Sequence, residues 1–364
     1  MWSWLCLSFL LSLLGPVWST TSEDMDYGGV PLWINRFLGE PSVMSLQGRS
    51  LDLSWFRANS PQPCPAQCEC PIQWPTALYC DHHELLKAPD TLPDRTQYVF
   101  LQGNNISSLP SSLFSNVTGL RWLILDHNLL KSLDQDLLQN QTELWYLFAN
   151  HNRLKSVPGG LPGGLRQLRL AHNRISSIGA SALSSLHRLS VLLLQGNRLK
   201  TVSEKDFSGL LSLNLLDLSG NLFKSVPKHL PPSVQQLYLS NNSLSSVDQD
   251  SFSSYPDLKY LRLGHCSLHS PNLHPHSFNL SSLIELDLSY NHLRSTPTVP
   301  SSLQYLYLEA NHIQEFNLTS FCRGEGPTSY SRLRILRLEG NKISPHELPP
   351  DWVYCLRVLQ RLFI

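Results

Sequence analysis

The sequence predicts an α/β solenoid. A curved parallel sheet lines its concave face, short helical, 3-10 or polyproline segments form its convex face, and disulfide caps close both ends. Three observations carry this. First, eleven times between Thr96 and Ile343 the chain writes the line L-x-x-L-x-L-x-x-N-x-L, as in Leu120, Leu123, Leu125, Asn128 and Leu130. Second, the residues at the N position (Asn104, Asn128, Asn152, Asn173, Asn197, Asn221, Asn242, Cys266, Asn291, Asn311 and Asn341) are spaced 24, 24, 21, 24, 24, 21, 24, 25, 20 and 30 apart, a rhythm of one short and two longer units. Third, cysteines cluster just before the first unit and flank the last.

The line is the leucine-rich repeat. Its x-L-x-L-x segment reads as a short strand with leucines inward and the intervening residues outward, because side chains alternate along an extended chain. Each unit buries four or five aliphatic side chains, each worth roughly 1.5–3 kcal/mol, and can do so only by stacking on its neighbours. The recurring Asn has donors and an acceptor for backbone groups that the turn leaves unpaired; Cys266 takes that place once. Such a fold has a long open sheet and no closed pocket, so binding is the expected role.

Taken in order, residues 1–19 read as a secretory signal: 2–19 are apolar without an acidic group and end in Val17-Trp18-Ser19, although no Lys or Arg leads them. The run is short for a membrane span and no second one follows. The expectation is a secreted protein with no membrane insertion. Residues 20–63 form an arm without repeats. Glu23, Asp24 and Asp26 precede Tyr27, a context for tyrosine sulfation and equally for a polar linker. Trp33, Phe37, Trp55 and Phe56 are too many aromatics for a pure spacer.

Residues 64–95 are the N-terminal cap, with Cys64, Cys68, Cys70 and Cys80 spaced C-x3-C-x-C-x9-C. In an oxidising compartment this reads as two disulfides covering the exposed end of the solenoid, with a zinc site as the rival. Residues 96–343 are repeats 1–11. The short units carry proline pairs (Pro158 and Pro162; Pro227 with Pro231 and Pro232; Pro297 and Pro300), which favour extended or tight-turn backbone. The longer ones, such as Ser203 to Leu213, have room for a helical turn, and the final 30-residue spacing is expected to bulge. Residues 344–364 form the C-terminal cap with a last strand at Leu359, Leu362 and Ile364. Cys322 and Cys355 can staple this end, leaving Cys266 as a buried thiol or an intermolecular bridge.

Six sequons are candidate N-glycosylation sites: Asn105, Asn116, Asn140, Asn241, Asn279 and Asn317. Asn116, Asn140 and Asn279 stand four residues before the leading leucine of a strand, so their glycans are expected on one side of the solenoid. Alternation assigns Tyr98, Phe100, Trp122, Tyr146 and Phe148 to the early concave face. It assigns Asp217, Tyr238, Tyr260, Arg262, Glu285, Asp287, Tyr305, Tyr307, Arg337 and Glu339 to the later part, with Lys342 beside the last ladder Asn. Tyr and Arg are common interface anchors, and Tyr also simply suits a strand.

An enzyme is not expected. His127, His151, His172 and His265 all precede a ladder residue, a habit of the repeat turn, and no G-x-S-x-G, H-E-x-x-H or phosphate loop occurs. No cofactor and no metal are called for. A formal net charge of zero with 15% charged residues argues against a nucleic-acid partner.

The cap spacing, the short-long-long rhythm and the terminal Cys322/Cys355 pair resemble the small leucine-rich proteoglycans, and the x9 spacing resembles their class II. Pro75 to Cys80, Asn116 to Trp122, Ser281 to Asn291 and Phe316 to Cys322 strengthen the likeness, which spans roughly residues 64–364. The resemblance implies pairing Cys64–Cys70 and Cys68–Cys80. It also implies a matrix protein that binds fibrillar collagen through its concave face and limits lateral fibril growth, with keratan sulfate or plain oligosaccharide on repeat asparagines, Asn116 and Asn279 matching best. The chain departs from relatives in having only Tyr27 in the arm, Ser240 where an acid is frequent, and Lys342 and Ser344 around Ile343. The collagen-binding set is Tyr238, Tyr260, Arg262, Glu285, Asp287, Tyr305, Tyr307, Arg337, Glu339 and Lys342. The alternative partner is a growth factor, of the transforming type, sequestered by a soluble modulator.

Overall fold

The computed structural model describes residues 59–179, 181–322 and 330–364. The signal segment, Tyr27 and the arm aromatics lie outside them.

Thirteen three-residue strands form one parallel sheet in strict chain order. They are β1 (Ala77–Tyr79), β2 (Tyr98–Phe100), β3 (Trp122–Ile124), β4 (Tyr146–Phe148), β5 (Gln167–Arg169), β6 (Val191–Leu193), β7 (Leu215–Asp217), β8 (Gln236–Tyr238), β9 (Tyr260–Arg262), β10 (Glu285–Asp287), β11 (Tyr305–Tyr307), β12 (Ile335–Arg337) and β13 (Arg361–Phe363). Strands β2–β12 come one from each of the eleven repeats, β1 from the cap, and β13 from the chain's last residues. The register is in step throughout: Trp122 pairs with Tyr146, Leu123 with Leu147 and Ile124 with Phe148. The central residue of every repeat strand, from Val99 to Leu336, is fully buried. These residues and the leading leucines form one continuous core along the solenoid.

The ladder residues tie coil to coil. Asn197 Nδ2 donates to Leu170 O at 2.9 Å in the preceding coil and to Leu194 O at 3.0 Å in its own. Its Oδ1 accepts from Ile175 N at 2.9 Å. Cys266 works with one atom. Its thiol donates to Leu239 O at 3.5 Å, its sulfur accepts backbone N–H bonds, and burial pushes its pKa up to about 11. It is buried and free of any disulfide.

The residue before the ladder position turns left-handed: φ is 54° at His127, 51° at His151, 52° at His172 and 52° at His265. Asn241, Tyr290 and Ala310 share that conformation at the same station, which accounts for the histidine habit, since Asn, Asp and His enter this region more readily than most residues. The imidazoles of His127, His151 and His172 stack at 4.2 and 4.5 Å. No group of three or more His, Cys, Asp or Glu placed to hold a metal occurs among the described residues.

The convex side is built more from turns than from helix. Ser203–Leu213, which had room for a helical turn, closes with separate three-residue-apart bonds, Asp206 N to Ser203 O and Leu210 N to Phe207 O, so no helix propagates. Three 3-10 turns (Ser270–Asn272, Leu318–Ser320, Pro345–Glu347) and one four-residue helix, Trp352–Cys355, are the helical pieces described. The prolines of the short units head turns: Leu165 N bonds Pro162 O, Val234 N bonds Pro231 O, and Leu303 N bonds Pro300 O. With Pro93, which accepts from Thr96 N, these prolines recur every 69 residues. The bulge expected between Asn311 and Asn341 falls partly outside the described residues.

Both ends are stapled. Disulfides join Cys64 to Cys70 and Cys68 to Cys80, and an antiparallel bridge pairs Glu69 with Tyr79. Arg95 clamps the cap, its guanidinium donating to the carbonyls of Pro61, Gln62, Pro63 and Pro75 at 2.7–3.1 Å. At the far end Cys322 joins Cys355 across 33 residues.

Candidate functional site

Because each strand shows its first and third side chains on the open face, the register lays two rows of side chains across the sheet. Their character changes along the molecule. Over β1–β4 the face is aromatic. Tyr79 and Phe100 stack at 4.6 Å, Tyr98 meets Trp122 edge-to-face at 5.0 Å, and Trp122 meets Tyr146 at 5.5 Å. Trp74 of the cap joins this array, 4.7 Å from Tyr98. Repeat grammar could not find Trp74, because it precedes the first repeat. Phe100 and Phe148 are buried beneath their neighbours, and Arg169 covers Phe148 at 4.4 Å. The middle of the face is closed by apolar side chains, with Val191, Leu193 and Leu215 all buried.

Over β8–β12 tyrosines alternate with charges. Arg262 lies 4.8 Å over the Tyr238 ring and pairs with Glu285 at 2.9 Å. Tyr238 OH donates to Gln236 Oε1 at 2.9 Å. Arg337 bridges Glu309, at 3.4 Å, and Glu339, and reaches over Phe363. Asp287 accepts from Ser289 N at 2.9 Å and Ser289 Oγ at 2.6 Å. Burial pushes the Glu309 carboxyl above its ordinary range, opposed by Arg337, and the Tyr307 hydroxyl rises for the same reason with Glu285 adding to it. Glu309 follows β11 by two residues and was missed; extending the alternation one step past the strand would have found it.

The structure thus brings Tyr238, Tyr260, Arg262, Glu285, Asp287, Tyr305, Tyr307, Arg337 and Glu339 onto contiguous coils. Tyr238 and Glu285 are mostly covered, while Tyr260, Tyr305, Tyr307 and Arg337 are half-buried. Lys342 does not join them. It lies past ladder Asn341, where the chain has left the strand and Lys342 N bonds Ile313 O at 2.9 Å in the descending turn, so its exposed side chain is off the sheet.

All six sequon asparagines are exposed. Asn116 and Asn140 sit in the turns entering β3 and β4 and Asn279 in the turn entering β10. Beside Asn140, the side chain of buried Gln141 anchors its turn by donating to Val117 O at 2.7 Å. Asn317 caps the Leu318–Ser320 turn, accepting from Thr319 N at 3.0 Å.

A family profile described as Leucine rich repeat matches residues 94–154, 163–223 and 225–268, and a second of the same description matches 282–303. The chain is 43% identical to lumican of Homo sapiens over 309 residues, covering 84% of this chain and 90% of the relative. It is 42% identical to fibromodulin of Bos taurus over 300 residues, 82% and 79% of the two chains. The string Gly326–Ser331 resembles lumican and the arm with Trp33 and Phe37 weakly resembles fibromodulin, a balance that favours fibromodulin narrowly; identities of 43% and 42% do not separate the two. Among solved structures, a chain of the octameric complex of Latrophilin 3, Unc5D and FLRT2 superposes with a TM-score of 0.62 at 24% identity, covering 82% of this chain and 83% of that one, a likeness of fold.

Proposed function

The chain belongs to the class II small leucine-rich proteoglycans, the group of lumican and fibromodulin, and from that premise we propose that it is a secreted matrix glycoprotein that binds fibrillar collagen on its concave face and regulates fibril assembly. The observation that supports this reading is the run of tyrosines interleaved with both signs of charge over β8–β12. A triple helix presents Lys, Arg, Glu and Asp around a backbone with Gly at every third position, so it offers no deep apolar handle. A partner surface for it needs paired charges and flat amphipathic rings rather than a pocket, and interfaces favour Tyr and Arg.

In this reading residues 1–19 are a signal, 20–63 an arm with Tyr27 as a sulfation site, and the six exposed asparagines carry glycans, with keratan sulfate on some of them. The glycans leave from connections, away from the sheet. The experiment is collagen fibrillogenesis followed by turbidity, with and without the enzymatically deglycosylated protein. Slower assembly and thinner fibrils are the expected result; unchanged kinetics and diameter at saturating protein would remove the collagen role.

A further inference from the structure

The edge of the sheet where the chain enters each strand is a continuous rail. Arg121 N bonds Gln97 O, Trp145 N bonds Arg121 O, Arg166 N bonds Trp145 O, and Ser190 N bonds Arg166 O. The same bond repeats coil by coil to Gln360. Along this rail stand Arg121, Arg166, Lys259 and Arg334, and no Asp or Glu. Lys259 is engaged by Gln235 Oε1 at 2.9 Å.

Arg121 and Arg166 are held differently. They come from the coils on either side of Trp145, with their guanidinium carbons 5.0 and 4.8 Å from the indole centroid. No carboxylate pairs with either among the described residues; Glu143, the acid nearest Trp145 in sequence, is exposed in the turn that enters β4. Stacking fixes the two cations, and their coils are two spacings apart, about 9.6 Å along the sheet. Trp145 and Arg121 are half-buried and Arg166 is exposed, so the ligand is met on an open rim, not in a cavity.

We propose that this rim binds a linear sulfated glycan, its sulfates accepted by Arg121 and Arg166 with Trp145 as the spacer between them. Guanidinium forks suit tetrahedral oxyanions. A linear polyanion can reach two cations held one on each side of Trp145, two coils apart, where a compact anion meets only one. The site lies off the collagen face proposed above and stands independently of it. The turns that enter β3 and β4 carry the exposed sequons Asn116 and Asn140, five residues before Arg121 and Trp145, so a sulfated chain attached there starts beside the rim.

The test is titration of the full secreted protein, before and after enzymatic removal of N-glycans, with a chondroitin sulfate oligosaccharide and with its desulfated counterpart. Expected is binding of the sulfated form only, weakened at least tenfold in Arg121→Gln with Arg166→Gln. Arg153→Gln with Arg174→Gln, the same charge change on exposed residues of the opposite edge, should bind within twofold of the parent. Binding seen only after deglycosylation also supports the site, with the protein's own chain as occupant. Equal loss in the two double variants, or equal affinity for the desulfated chain, overturns the proposal. Thermal midpoints within a degree or two of the parent exclude misfolding as the cause.

Discussion

Single residues in this fold matter through the backbone groups they satisfy. Asn197→Ala removes two donors and one acceptor that bridge adjacent coils and leaves buried backbone groups unmet, so the expected loss is about 2–4 kcal/mol in a urea titration, several times that of an exposed Asn→Ala. Cys266 shows the same position filled less well. With its thiol pushed up to about 11 by burial, it should resist iodoacetamide at pH 8 until denaturant is added, and rapid alkylation of the folded protein would contradict its placement. Asp126 is the unusual carboxyl. Burial raises it to about 6 from 3.8, despite the Asn150 N–H it accepts at 2.6 Å, and Gln102, one coil away, has a buried Oε1 with no donor. Between those two values the folded chain holds a proton that the unfolded chain has lost. Its contribution to stability therefore falls as pH rises through that window. Asp126→Asn should then stabilise the protein at pH 7.5, by on the order of 1 kcal/mol, with the gain fading toward pH 4. A gain that grows in acid would reverse the sign of this account.

At the scale of elements, length and closure decide what each coil can be. The short coils pack so closely that a Cβ on Gly160, whose φ is 65°, would fall 1.9 Å from Gln135 O, and one on Gly164 would fall 2.5 Å from Thr142 O. Glycine is required by contact at both positions and at Gly160 by conformation as well. The strands were legible because three outward-inward-outward residues and a buried Asn recur at a fixed offset. The convex side was less so. Ser203–Leu213 has the length for a helix, yet the next coil needs its leading Leu213 returned to the core, and isolated turns do that in fewer hydrogen-bonded steps. The last coil has one neighbour and one covalent tie: β13 pairs with β12, follows the Trp352–Cys355 helix and is tied back through Cys322–Cys355. A cross-link over 33 residues is worth roughly 3–4 kcal/mol in the chain-entropy account. Cys322→Ser with Cys355→Ser should lower stability by about that amount. The loss should appear first as amide exchange in β12 and β13, since coils contact only their neighbours; uniform loss of protection along the chain would argue for tighter coupling than the stack provides.

For the whole molecule, the repeat fixes which side chains share a face but not how they pair. Alternation placed Arg262, Glu285, Arg337 and Glu339 together. That these charges neutralise each other, and that Tyr238 lies under Arg262, depends on side-chain length across coils and was not readable from spacing. Trp74 and the Arg121–Trp145–Arg166 stack were also invisible, one lying before the repeats and the other in the column just outside the strand. The pairing sharpens the collagen reading. Arg262 and Arg337 each sit over a ring and against one or more carboxylates. Removing them uncovers Tyr238 and Phe363 and leaves Glu285, Glu309 and Glu339 without counter-charge, so the later face becomes strongly acidic and loses its two forked donors. The early face is different: Trp122 and Tyr146 are half-exposed rings with little charge between them, whereas Phe148 is buried and its loss would damage packing instead. If recognition depends on paired charge, Arg262→Ala with Arg337→Ala should weaken collagen binding at least tenfold, in line with the ~2 kcal/mol or more that central interface arginines carry. Trp122→Ala with Tyr146→Ala should weaken it less, each variant first shown folded by circular dichroism. A solid-phase collagen assay that ranks the two the other way would move the collagen site to β2–β4, where stacking against imino-acid rings rather than charge would have to supply the affinity.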